Sequence, residues 1–222
     1  ARVVSAGVPE VRSVGQGRSR VVPARPGQAA MIIAAFTGLL YVTEAVDTLL
    51  GGALDDDGIR PRQLDGLDGI LWAPLLHAGW QHLAANTVPV LVLGFLALAS
   101  GVGQFVAVTA TIWLIGGFGT WLIGSPHIHL GASILVFGWL VFLLARGFFA
   151  RSPVQILLAV ALFAVWGSVL WGVLPGIYGV SWEGHLSGAV GGLIAAQLVA
   201  RADRSSADPK RFRIDQPRLN GS

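Results

Sequence analysis

Four polar side chains in a nearly charge-free chain have the types and spacing for acyl transfer: Ser133, His185, His82 and Asn86. A serine hydroxyl is a weak nucleophile until a base takes its proton, and His185 is the candidate base. His82 and Asn86 stand four residues apart, so a helix stacks them on one face. There they could hold a developing oxyanion together with the Ser133 N–H. No Asp or Glu lies near Ser133 in sequence, so the set reads as a dyad; Glu183 is the carboxylate nearest His185. Ser133 follows Gly131-Ala132 at a helix start, where unpaired amides and the positive end of the helix dipole meet. Gly188 and Gly192 follow His185 one and two turns on, a pair of small residues that lets a helix approach its neighbour closely.

Each feature alone has a plainer meaning. A single serine in a membrane helix usually bonds its own backbone, and Ser168 and Ser187 are read that way. A single histidine at a helix end is usually interfacial, the reading given to His127 and His129. His77, five residues before His82, falls on a different helix face. Metal binding is the rival chemistry for histidines. The spacings are not those of H-E-x-x-H and no carboxylate accompanies His82, so no metal or other cofactor is expected. The soluble-hydrolase motif G-x-S-x-G fails at Leu135.

The elements that position these residues are written in the composition. Of 222 residues 54% are hydrophobic and 12% charged, with mean hydropathy +0.67. A soluble surface needs about twice that charge. Residues 69–145 contain no Asp, Glu, Lys or Arg, a stretch with room for three membrane spans of about 20 residues each. There is no cysteine, which excludes disulfides and a thiol nucleophile. The pI near 10.2 does not indicate nucleic acid, because the basic residues are mostly arginines flanking apolar runs, the usual topology signal.

Apolar runs and Gly/Pro breaks predict six spans, at about 31–50, 81–99, 105–123, 131–149, 154–174 and 184–200. An apolar lead-in segment, 70–80, precedes the second. The first run is too long for a cleaved signal peptide and is read as an uncleaved span. The resulting division is a basic arm (1–27), a six-helix membrane domain (28–200) and a basic tail (201–222). The arm carries five arginines against one glutamate, the 146–151 connection two arginines, and the tail six basic against three acidic residues. In a six-span arrangement all of these share one side. The other side holds Asp55, Asp56, Asp57, Asp65, Asp68 and Glu183 against Arg60 and Arg62. The positive-inside rule then places both termini in the cytoplasm. His82/Asn86, Ser133 and His185 fall at the outward ends of spans two, four and six, at one depth. The polar groups do not line a path across the membrane, which disfavours a transporter or channel.

With those residues in place, the chain resembles the rhomboid intramembrane serine proteases over roughly residues 30–200. The block from His77 to Asn86 (HAGWQHLAAN) is similar to the family's second-span motif with its H-x-x-x-N core. Gly131-Ala132-Ser133 resembles the nucleophile motif G-x-S-G, and His185, Gly188 and Gly192 match H-x-x-G-x-x-x-G. The resemblance implies an all-α, six-helix bundle of bacterial type in the inner (plasma) membrane. It also implies a water-filled cavity open to the outer side, and cleavage of the transmembrane helices of other membrane proteins near that face. In that scheme Ser133 and His185 are the dyad and His82 and Asn86 the oxyanion residues. Gly131, Gly188 and Gly192 pack near the site, and Phe137 supports the catalytic histidine. The partners are the bilayer and membrane-protein substrates. Ile134 stands where the family usually has glycine. A bulky β-branched residue there is expected to narrow the substrate pocket or shift the helix start, which supports an alternative, a non-catalytic relative that binds transmembrane clients.

Overall fold

Proline and glycine punctuate the chain where its helices begin. In the computed structural model, which describes residues 20–176 and 179–206, Pro26 and Pro153 each occupy the first turn of a helix, where a missing N–H costs nothing. Gly101, at φ +100°, turns the chain into another. Six long helices result among the described residues: α1 (Pro26–Leu49), α3 (Trp80–Ala97), α4 (Val102–Ile123), α5 (Ser133–Ala150), α6 (Pro153–Trp166) and α7 (Trp182–Ser206), with a single-turn α2 (Gly69–Trp72) between the first two. A 3₁₀ segment, Gly167–Val173, prolongs α6.

Among the described residues five stretches are long and apolar enough to cross a membrane, Pro26–Leu49, Trp80–Ser100, Val102–Ile123, Ser133–Ala150 and Pro153–Val173; the sixth expected span, 184–200, is not among them. The 25-residue α7 carries Glu183, His185 and a run of glycines, and is packed against α4 and α5. The protein is thus an all-α polytopic membrane bundle. Helix α1 begins inside the expected arm, and α7 continues to Ser206, past the expected limit at 200. Residues 1–19 of the arm and 207–222 of the tail lie outside the described residues.

Helix α5 forms the centre. Leu135, Trp139, Leu140 and Phe142 are fully buried. Trp139 meets the rings of Phe36 and Phe105 and donates its indole N–H to Thr109 Oγ1 at 3.1 Å. In lipid there is no hydrophobic gain in pressing two apolar helices together, so close packing must come from shape. Glycines supply it: a Cβ at Gly188 would strike the Ile134 carbonyl, and one at Gly192 the Gly138 carbonyl. The backbones of α5 and α7 therefore touch along the Gly188/Gly192 face. Ile134 points away from this contact into the α4–α7 groove. A Cβ at Gly116 would lie 2.5 Å from its Cγ2 and one at Gly184 3.4 Å from its Cγ1.

The long connection from α1 to α3 is stapled along α4. Trp113 and Trp121 donate their indole N–H groups to the carbonyls of Ile70 and Gln63, each at 2.8 Å. Arg62 reaches the Gly124 carbonyl at 2.7 Å. Ile59 and His129 form a single antiparallel bridge, which ties this connection to the loop that leads into Ser133.

Candidate active site

Ser133 is the first residue of α5, directly after a turn that only glycine suits. Gly131 has φ +124°, and a Cβ there would lie 2.7 Å from His82 Cε1 and 2.9 Å from His82 Nε2. Gly131 is expected to aid helix packing. What it does is make room for the His82 imidazole beside Ser133. Its N–H donates to the Ala73 carbonyl at 2.8 Å, and the Ala132 N–H donates to His77 Nε2 at 3.3 Å. His77, read from sequence only as facing elsewhere, thus holds the turn that presents Ser133. It is buried, and desolvation beside His82 lowers its pKa to about 3.

Ser133, His82, Asn86, Phe137 and His185 line one cavity of about 440 Å³, together with His127 and His129. The structure therefore brings together all four chemistry-bearing residues. No hydrogen bond joins Ser133 Oγ to His185 among the described residues. Phe137, one turn after Ser133, stacks on the His185 ring with centroids 3.9 Å apart and planes 10° from parallel.

The two histidines hold opposite tautomers, and their partners say why. His185 Nδ1 lies 3.0 Å from the Gly172 carbonyl. A carbonyl only accepts, so Nδ1 carries the proton and Nε2 keeps its lone pair. His82 Nδ1 instead accepts the Ala78 N–H at 3.3 Å, so its Nε2 carries the proton and can donate. One imidazole is arranged as a base and the other as a donor. Asn86 Nδ2 spends one hydrogen on the His82 carbonyl at 3.0 Å, which fixes its side chain and leaves a second.

Glu183 does not complete a triad. Its Oε1 accepts the Ser125 N–H at 2.9 Å, and the group that orients His185 is a backbone carbonyl. Ile134 is buried and does not line the cavity, and α5 still starts at Ser133. The expected narrowing of the pocket therefore does not occur: a β-branched side chain at 134 is absorbed by glycines on α4 and α7. His129, read as interfacial, is 2% exposed and hydrogen-bonded through both ring nitrogens. His77, His129 and Gly172 are the residues sequence reading missed. His77 opens the HAGWQHLAAN block and His129 stands two residues before Gly131, which was the available signal.

Comparison with known proteins agrees with this geometry. The Rhomboid domain family model matches residues 67–202. Over 198 residues the chain is 50% identical to uncharacterized proteins of Mycobacterium tuberculosis and Mycobacterium bovis, covering 84% of this chain and 82% of theirs. An uncharacterized protein of Mycobacterium leprae is 47% identical over 196 residues, covering 84% of this chain and 78% of its own. The matched segment spans the cavity residues from Ala78 to His185 and the glycine face below them, and the chain belongs to the rhomboid family, whose members are generally intramembrane serine proteases.

Proposed function

We propose that the chain is an active intramembrane serine endopeptidase working through a Ser133–His185 dyad. The observation that supports this most is the pair of opposite tautomers facing one cavity, His185 with a free Nε2 lone pair and His82 with a free Nε2–H. In the reaction His185 Nε2 takes the hydroxyl proton of Ser133 as Oγ attacks the scissile carbonyl. The oxyanion is held by His82 Nε2–H, the second hydrogen of Asn86 Nδ2 and the Ser133 N–H at the start of α5. His185 then returns the proton to the leaving amine, and water releases the acyl group by the same route in reverse. The dyad bond forms when substrate closes the cavity, since catalytic hydrogen bonds are often long without it.

The substrates are transmembrane segments of other membrane proteins, cut near the outer face of the cell membrane. If α7 is counted as a sixth span with both termini cytoplasmic, the arginine-rich segments lie inside and the Asp-rich 51–68 connection outside, on the side of the cavity. The test is labelling of the purified protein by a serine-directed fluorophosphonate. Wild type is expected to label and Ser133→Ala not to. Equal labelling of both, or none of either, would overturn the protease and favour a client-binding relative. That second reading drew its support from Ile134, which lies outside the cavity.

A further inference from the structure

The glycine contact sets how close α5 and α7 come, but it supplies no directional bond between their outer ends. Dyad chemistry tolerates little sliding or rotation of one helix on the other. A closed ring of hydrogen bonds joins the two helix starts. His129 lies four residues before Ser133, and its Nε2–H donates to the Ser125 carbonyl at 3.0 Å. Its Nδ1 accepts the Ser181 hydroxyl at 2.6 Å, and Ser181 Oγ accepts the Gly184 N–H at 3.1 Å. From the neighbouring residue, Glu183 Oε1 accepts the Ser125 N–H at 2.9 Å and brings the circuit back to its start. Every donor in the ring meets an acceptor only when His129 is neutral. Burial holds its pKa below the ordinary histidine range, with the His127 imidazole, Arg62 and Glu183 as the charged or titratable groups around it. The backbone bridge to Ile59, at 2.9 and 3.0 Å, anchors the ring to the outer connection.

We infer that His129 and Glu183 are positioning residues, which lock the register between the Ser133 loop and the first turn of the His185 helix. Neither is proposed to touch the reacting atoms. The inference rests on the protease reading and extends it to residues outside the dyad and oxyanion set.

The experiment is the fluorophosphonate labelling rate of the full chain in detergent for wild type, His129→Ala, Glu183→Ala and Glu183→Gln. Labelling of His129→Ala and Glu183→Ala is expected to slow by about tenfold or more, as for other small misplacements of reacting groups. Glu183→Gln keeps an oxygen for the Ser125 N–H and is expected to stay within about threefold of wild type. Should His129→Ala not fold, the ratio between the two Glu183 variants decides. A Glu183→Ala protein that labels at the wild-type rate, or a Glu183→Gln protein as slow as Glu183→Ala, overturns the inference alone. A wild type that does not label overturns the protease reading and this inference with it.

Discussion

Helices α5 and α6 are neighbours in the chain and opposites in packing. Within its membrane-length window α5 is 61% buried, against 11% for Pro153–Val173. Its Trp139 and Phe142 are enclosed on all sides, and its Gly138 lies against the Ile112 side chain of α4 and the Gly188 carbonyl of α7, while its Gly147 takes the start of α6 at Gln155 and Ile156. Helix α6 offers the bundle one stripe, Gln155, Ala159 and Leu162. It leaves Leu157, Val160, Phe163 and Val165 outward, where lipid is as good a neighbour as protein. The site divides along the same line. Ser133, the proposed nucleophile, stands on the dense helix, while the Gly172 carbonyl that orients His185 belongs to the segment continuing from the loose one. Val169 of that segment is also a cavity wall. No residue of Gly167–Val173 is buried, so on the proposed protease reading this is the wall expected to yield, and its displacement would alter the tautomer control of His185 at the same time.

That contrast can be attacked from its strong side first. Gly192→Val forces a branched side chain into the Gly138 backbone and is expected to cost about 3 kcal/mol or more, read as lost folded protein in a detergent melt. Ile134→Gly empties the groove lined by Gly116 and Gly184 and adds a helix glycine. A loss of about 2–5 kcal/mol is expected, with no gain in labelling rate, and a faster enzyme would show that Ile134 restrains the site after all.

Acid acts on the loops around Ser133. His77 and His129 are held neutral by burial, with pKa values below the unfolded 6.5. The unfolded chain then binds protons that the folded one refuses, so stability is whole above about pH 6.5 and falls as the pH drops toward 3. A melting temperature measured from pH 7.5 to 4.5 should decline below 6.5; a flat profile would mean that these histidines are not held neutral.

The loose side should respond in rate more than in stability. A Cβ at Gly172 would stand 3.1 Å from both His185 Nδ1 and Phe137 Cζ. Gly172→Ala is expected to slow labelling about tenfold, as a misplaced catalytic group does, while the melt moves little. Leu157→Ala, at a 69% exposed position, should change stability by no more than about 0.5 kcal/mol. A large loss there would show that α6 is held more firmly than its packing implies.

Most of the helices were legible because their signals are local. A membrane span declares itself through twenty apolar residues in a row, and Pro26, Gly101 and Pro153 mark ends through their own backbone restrictions. The short limits predicted for the first and last helices come from the same source, since polar residues near a helix end carry no local stop signal. The candidate site was legible as types and spacings: the four-residue step from His82 to Asn86, the glycine before Ser133, and the paired glycines after His185.

What the chain's order alone determined is most of the helices, the spacing of the polar residues along them, and the lack of a carboxylate near Ser133 in sequence. The tertiary structure decided the rest. Which nitrogen of His185 carries the proton depends on Gly172, thirteen residues away in another element. His129 became a buried ring member through Ser181, fifty-two residues on. Ile134 turned out harmless to the cavity because glycines on two other helices make room for it. Hydrogen-bond direction and steric fit belong to pairs of groups that only folding brings together, so no single stretch of sequence could have held them.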